Sequence, residues 1–390
     1  MKKTNIRAAL ILSLGSAFFW TACKKDIEPN PNPSGNQPTI LDCYYFDGTD
    51  RVSKDNPNSA VDYIVTCRMD ITADVSIEPG VVIEFEKNTG FIVRENGSLS
   101  AVGTEGKPIV FRGTDRLLGH WDGIFIDGSE SQKNELKYVE VSDGGGREFA
   151  NNTQGGVMVY AYSQLKMSHS KLTNNLNYAY NGHTAEFNKT SIQNNIFSGS
   201  KYPALINTDN LDQFKNNTCT DNEVPVVLVY PTQLVDGNIT WHKGDVPYRL
   251  TDNGHYNLYK TLTIAPGTKI EFPQDGKIKI DGGTGGLVCV GTASDPIILT
   301  GIVKAPNAWN GVYVDGAYPL NEIAYTHFEY SGYNSPEGNV YLWYDAVLNI
   351  HHTKFKNIGG CAINTRVDGA ANLVMDAATI EYEDCLEGIW

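Results

Sequence analysis

The chain has 390 residues, 41% of them hydrophobic and 11% aromatic, with a formal charge of −14. That is enough apolar material for a core in one long domain or two, and an acidic balance with no basic patch tells against nucleic acid as a partner. The 38 glycines, and short apolar runs broken by Gly, Asn, Asp and Pro, predict an all-β chain with many turns.

Residues 1–22 read as a signal peptide. Lys2, Lys3 and Arg7 supply the basic start and Ala8 to Trp20 the apolar stretch, which is too short for a mature membrane span. The stretch ends at Trp20-Thr21-Ala22-Cys23. Small residues before a cysteine resemble a bacterial lipobox, although Trp20 stands where such motifs usually carry an aliphatic. The resemblance implies that Cys23 becomes a lipidated N-terminus, and several acyl chains at about 0.8 kcal/mol per CH2 make a stable anchor. Residues 23–40 carry Pro29, Pro31, Pro33 and Pro38 among Asn, Ser and Gly, and read as a disordered tether. The fold is expected to start near Leu41. Lys24-Lys25-Asp26, directly after the cysteine, resembles the export signal of some Gram-negative surface lipoproteins. It implies an outer-membrane protein facing the cell exterior, with a periplasm-facing placement as the alternative.

From Val75 to Gly144 the chain carries a text that it later repeats. Ile77-Glu-Pro79-Gly80, Ile83-Glu84-Phe85, Ala101-Val102-Gly103-Thr104, Pro108-Ile109 and Trp121-Asp-Gly123-Ile124 return as Ile264-Ala-Pro266-Gly267, Ile270-Glu271-Phe272, Cys289-Val290-Gly291-Thr292, Pro296-Ile297 and Trp309-Asn-Gly311-Val312. The offset is nearly constant, from Ile77 matching Ile264 to Trp121 matching Trp309. A looser register continues, matching Leu165 to Asn174 with Leu348 to Asn357. Copy one covers about 61–245 and copy two about 246–390. Units of about two dozen residues are the period of a solenoid. Phe91 and Val93 match Ile278 and Ile280, while Ile92 and Arg94 match Lys279 and Asp281. The first set is apolar in both copies and the second is not, as in a strand with one buried face. A finer repeat, Leu172-Thr-Asn174-Asn175, Ile192-Gln-Asn194-Asn195 and Phe214-Lys-Asn216-Asn217, with Phe355-Lys-Asn357 as a fourth instance, predicts an asparagine ladder along one corner.

These segments together resemble a right-handed parallel β-helix of the pectate-lyase-like architecture, and within it the largely uncharacterised Gram-negative lipoproteins that repeat the same motifs. The resemblance covers roughly residues 61–390. It implies the fold and a surface location rather than an activity. Copy two reaches Trp390 without a counterpart of residues 210–245. About fifteen coils, some 70 Å long, are expected at about 4.8 Å per coil. Tandem β-sandwiches are the competing fold, but their strand spacing of about 8 to 12 residues fits the asparagine repeats poorly.

In a β-helix, positions one coil apart lie side by side. Cys43 and Cys67 are separated by the same length of chain as Cys361 and Cys385, close to one coil, so each pair is expected to be bonded or stacked near one end. Cys289 reads as a small core residue and Cys219 has no obvious partner. No cysteine or histidine spacing suggests zinc.

Asn207-Thr208-Asp209 resembles the Asn-Thr-Asp motif of polygalacturonase-type hydrolases, but their aspartate pair, Gly-His-Gly and Arg-Ile-Lys are missing, and the triplet reads as a turn. Lys277, Lys279 and Asp281 share an outward face that suits an anionic sugar and equally a solvated strand. Asp127, Asp143 and Asp315 read as turn acids without EF-hand spacing, so no metal or cofactor is assigned, and calcium stays open without a motif to support it. His169 and His352 fall at matching places and read as bend residues. Trp121 and Trp309 read as a fold device. Rings at Tyr160, Tyr162, Tyr178, Tyr180, Tyr341, Trp343 and Tyr344 alternate along strands and form the candidate platform for sugar faces, the alternative being that they pack the core. The expectation is a lipid-anchored surface β-helix that binds glycan without catalysis. A polysaccharide lyase or glycoside hydrolase, and a structural or adhesive protein, are the alternatives.

Overall fold

The computed structural model describes residues 37–47, 49–54, 58–149, 153–251, 254–281, 284–316, 320–332, 338–365 and 372–385. The signal peptide, Cys23 and nearly all of the tether lie outside the described residues. The first strand, Thr39–Leu41, starts just before the expected boundary.

Each turn of the chain lays down three short strands, and each strand pairs in parallel with its equivalent one turn on. The result is a right-handed β-solenoid. Among the described residues, one 13-stranded sheet runs along the solenoid from end to end; the other two sides carry eight- and seven-stranded sheets first and two six-stranded sheets after. About 13 turns at about 4.8 Å span roughly 60 Å. The expected count of fifteen was too high because several turns are longer than two dozen residues. Ile83, Phe111, Val141 and Leu172 stack in register on four successive turns, although each step between them takes more chain than that.

Alternation along each strand sends every second side chain inward. Phe91, Val93, Ile278 and Ile280 are all buried in one continuous core. The Trp-x-Gly of each copy is a joint between turns. Trp121 stacks on Phe85 at 3.9 Å and Trp309 on Phe272 at 4.2 Å, so this tryptophan seals the phenylalanine of the Ile-Glu-Phe strand. Their indole N–H groups donate to the Ser142 and Glu329 carbonyls at 2.7 and 2.9 Å. Gly123 and Gly311 have φ of +108° and +94°, and a Cβ there would sit 2.3 and 2.1 Å from the carbonyl oxygens of Gly155 and Asn339 on the next turn. Only glycine meets both conditions.

The duplication does not stack copy on copy. Val82–Phe85 lies in the eight-stranded sheet, but its counterpart Lys269–Phe272 lies in the 13-stranded sheet. Gly90–Arg94 lies in the 13-stranded sheet, and its counterpart Lys277–Ile280 in a six-stranded one. The copies are 22 strands apart, seven turns and one strand. Equivalent residues therefore look out from sides about one third of a turn apart.

The asparagines form two ladders rather than one. Asn174, Asn194, Asn216 and Asn357 all adopt left-handed φ, between 53° and 58°. Asn195 accepts from Ser170 N at 3.0 Å, and Asn217 accepts from Asn195 N at 2.9 Å, along one corner. Asn175 belongs to another corner, where its side chain accepts from Gly144 N at 2.9 Å and its backbone N–H donates to Ser200 Oγ at 3.2 Å. The step from the first motif to the second runs between corners and is not a full turn.

Cys43 and Cys67 form a disulfide with their Cα atoms 5.8 Å apart. Thr39 to Leu41 pair with Tyr63 to Val65, and the same offset carries Cys43 onto Cys67. No disulfide joins Cys361 to Cys385. There the turn is longer, since Lys354 pairs with Glu381, which brings Cys385 level with Ile358 instead. The Cys385 thiol meets the Phe355 carbonyl at 3.8 Å. Closing a loop of the length between Cys43 and Cys67 stabilises by about 3 kcal/mol in the chain-entropy model. Cys43→Ser with Cys67→Ser is therefore expected to fray the first turn, read as faster amide exchange in residues 39–71 with the central turns unchanged. Cys289 is fully buried, and burial pushes its thiol up to about 12. Cys219 is buried too, and its thiol is likewise pushed up.

Candidate functional site

Two grooves of nearly equal size, about 390 and 400 Å³, occupy equivalent places in the two copies. Each begins at a corner tyrosine. Tyr138 joins Glu135–Lys137 to Val139–Ser142 with φ of 50°, and Tyr325 joins Glu322–Ala324 to Thr326–Glu329 with φ of 45°. Such a bend throws the side chain outward, at a backbone cost of about 1–2 kcal/mol for a residue with a Cβ. One turn on, His169 and His352 take the same bend, with φ of 52° and 48°. Each tyrosine meets its histidine ring to ring: Tyr138 and His169 are tilted by 31° with centroids 5.1 Å apart, and Tyr325 stacks on His352 at 4.5 Å.

The turn before supplies the other wall. The loops Gly103 to Pro108 and Gly291 to Pro296 lie against these corners. Gly103 N donates to Lys137 O at 2.8 Å and Ile109 N to Tyr138 O at 3.1 Å. Gly291 N and Ile297 N repeat this with Ala324 and Tyr325. A Cβ at Gly103 or Gly291 would lie 2.6 or 2.4 Å from the tyrosine carbonyl, which accounts for the repeated Gly-Thr. Groove one is lined further by Glu105, Glu140, Lys171 and Asn194, and groove two by His327, Thr353, Lys354, Thr379 and Glu381. Aromatic rings beside hydroxyl, amide and charged groups can hold a sugar by ring contact and hydrogen bonds together.

His169 and His352 are bend residues as expected, but their partners Tyr138 and Tyr325 escaped the sequence reading. The signal was there in Leu136-Lys-Tyr138-Val and Ile323-Ala-Tyr325-Thr, one tyrosine kept in both copies at the common offset.

The seven candidate rings do not form one platform. Tyr180 is 1% exposed and belongs to the core. Tyr160 packs with Phe149 over Ile92, Phe125 and Met158, a small apolar cluster outside the main core. Tyr178 stacks on Tyr202 at 5.6 Å. Tyr162 and Tyr344 are 69% and 59% exposed at corners with φ of 57° and 51°. Tyr341, Trp343 and Tyr344 do make a chain of rings, each 5.4 Å from the next, and Tyr313 extends it at 5.5 Å. That patch is on the side one third of a turn from the sheet carrying Tyr178 and Tyr180, because of the offset between copies. Tyr341 itself is 8% exposed. Beside it Lys279 lies between Asp281 and Asp315 at 3.5 and 3.7 Å, and the Lys277 ammonium sits 5.1 Å above the Tyr313 ring. Asp127 pairs with Arg94. Asp143 is buried and accepts from Asn174 at 2.7 Å, so it is a structural acid.

A third concavity, of about 730 Å³, lies where the first copy ends, and it is lined by His183, Glu186, Asn207, Asp209, Thr232 and Asp236 among others. Asn207 caps the 3₁₀ turn Thr208–Gln213, accepting from Asn210 N. Asp209 therefore sits in a turn, as expected, yet it is largely buried. It accepts from Thr232 Oγ1 at 2.8 Å and from the Tyr256 hydroxyl at 3.2 Å. Burial pushes its carboxyl up to about 6 against these bonds, with the charge of Asp236 adding to the rise. Burial holds the His183 imidazole below its usual range, and its Nδ1 meets Asn181 Oδ1 at 2.8 Å. Among the described residues no group of three or more His, Cys, Asp or Glu is placed to hold a metal ion.

Asp209 gives a test of stability against pH. Its pKa is higher folded than unfolded, so its contribution is fully present below about 4 and is lost as pH rises through about 6. Asp209→Asn removes the buried charge and is expected to stabilise the protein by about 2–3 kcal/mol at neutral pH and by little near pH 4. Urea unfolding at both pH values reads the difference.

Comparison with protein-family models, with curated proteins and with solved structures finds no match to the chain.

Proposed function

We propose that the protein is a lipid-anchored, envelope-exposed β-helix of the pectate-lyase-like kind that binds glycan chains without cleaving them. The corner grooves are its binding sites. The observation that carries this reading is the repetition of one groove in both copies, with the same tyrosine on the same histidine beside the same Gly-Thr loop. Core packing requires the inward residues to recur, but it does not require an outward ring pair. The Tyr313–Tyr341–Trp343 patch is a further contact area for a long chain. The lipid on Cys23 and the tether would place the solenoid off the outer membrane, on the cell surface.

The test takes the soluble chain from Gln37 onward and measures its retardation in gels cast with neutral and acidic polysaccharides, alongside reducing-end and unsaturated-product assays. Retardation without new ends supports the reading. New reducing or unsaturated ends overturn it, and no retardation on any polysaccharide leaves an adhesive or scaffolding role as the better account.

Glycoside hydrolysis is the second reading, and the Asp209 concavity favours it. A carboxyl that keeps its proton to about 6 is suited to a general acid, and Glu186 and Asp236 are carboxylates in the same concavity. If reducing ends appear, Asp209→Asn is expected to lower their rate at least about 100-fold.

A further inference from the structure

The two grooves share a shape but not a charge response. This step rests on the glycan-binding reading above. His352 of groove two is the end of a line that runs back through His351 to Glu322: Glu322 Oε1 to His351 Nε2 is 3.3 Å, and His351 Nδ1 to His352 Nδ1 is 2.9 Å. One arrangement of protons satisfies both contacts. His351 donates Nε2–H to the carboxylate, so its Nδ1 accepts; His352 then donates Nδ1–H, so its Nε2 carries the lone pair. An imidazolium at His352 leans through His351 on the Glu322 carboxylate. The same ring lies flat on Tyr325 at 4.5 Å and 23°, a contact that improves when the ring is charged.

Copy one lacks the middle of this line. Glu135 stands where Glu322 does and His169 where His352 does, but Ser168 replaces His351. Glu140 replaces His327, and it pairs with Lys171 at 3.1 Å. Groove one thus keeps its carboxylates and gains one exposed histidine at most.

We infer that groove two is a proton-gated site for an anionic sugar, one carrying a carboxylate or a sulfate, and that groove one is not. Lys354, which lines groove two, and its neighbour Lys356 are already committed to carboxylates. Lys354 is engaged by Glu383 at 2.5 Å and Glu381 at 3.8 Å, and Lys356 by Glu383 at 2.6 Å. The other charges placed against the histidines are Glu322 at His351 and Glu329 at His327, where Lys354, Glu381 and Lys356 also act, with Tyr325 beneath His352. Asp295 on the loop below is paired with Lys243 at 2.9 Å. Acidification adds positive charge to imidazole side chains in the range where they ordinarily titrate, and burial holds His327 below that range. A sugar carboxylate or sulfate is still ionised there, so proton and ligand favour each other.

The experiment uses calorimetry on the soluble chain with a hyaluronan tetrasaccharide as the anionic probe and chitotetraose as the neutral one, at about pH 5 and about pH 7.5. The anionic probe is expected to bind one site about tenfold tighter at the lower pH, and the neutral probe to show no such gain. His351→Ser, which copies groove one, is expected to bring the ratio of the two affinities close to one. Glu322→Gln is expected to lower it as well, and the histidine proton resonances of both variants report whether His352 titrates at a lower pH than in the parent. Binding of the neutral probe with no pH gain for the anionic one, or a gain that survives both variants, overturns the inference and leaves the glycan-binding reading standing. If neither probe binds at either pH, both fall.

Discussion

Replacing Trp309 with alanine is expected to cost about 3–5 kcal/mol and to melt the second half of the solenoid before the first. The indole is fully buried, stacks on Phe272 at 4.2 Å, and lies parallel to Phe328 at 6.1 Å. Its removal opens a cavity spanning two turns and leaves the Glu329 carbonyl without its donor. In a solenoid each turn is stable only against its neighbours, so the loss stays local before it spreads. Heating the variant should give two transitions where the parent gives one, with early proteolytic cuts confined to the second copy. Trp121→Ala, at the equivalent joint on Phe85, should reverse the order of the two halves. A single cooperative melt shifted by less than about 1 kcal/mol would show that Trp-x-Gly is not the joint described here.

Removing both corner tyrosines is expected to abolish oligosaccharide binding, and removing either one to halve the number of sites. Tyr138 and Tyr325 are half-buried and lie outside the core, so alanine there should leave folding nearly unchanged. The grooves are 22 strands apart, roughly 35 Å along the axis at about 4.8 Å per turn, and look out from different sides. A tetrasaccharide cannot reach both, so calorimetry should count two sites in the parent, one in each single variant and none in Tyr138→Ala with Tyr325→Ala. A long polysaccharide can reach both by bending round the solenoid, and its apparent affinity should fall about 100-fold or more in either single variant. Equal binding by the parent and the double variant would move attention to the Tyr313–Trp343 patch or to the Asp209 concavity.

Much of this architecture is legible in the sequence. Whether a side chain points inward depends on its immediate neighbours, so Phe91, Val93, Ile278 and Ile280 declared themselves by alternation. Left-handed bends depend on one residue, so Asn174, Asn194 and Asn216 were found as bends. The repeated Trp-x-Gly was recognisable as a fold device because Trp121 and Trp309 recur identically ahead of a glycine. What stayed hidden was which residues meet across turns. The length of a turn is not constant: the step from Tyr63 to Ile83 is short and the step from Val141 to Leu172 is half as long again, because each corner loop absorbs a different length of chain. The same sequence spacing therefore bonded Cys43 to Cys67 but left Cys385 level with Ile358. A similar accident made Asn174 and Asn194 look like one ladder. The grooves depend wholly on that register. Each is assembled from a loop, a tyrosine one turn on and a histidine one turn further, and only their stacking brings the three together. By itself the sequence determined a duplicated parallel solenoid and the inward or outward sense of its residues, since these follow from local backbone geometry. Only the tertiary structure decided which residues share a groove and on which side each copy faces, since these follow from the summed lengths of all the loops between.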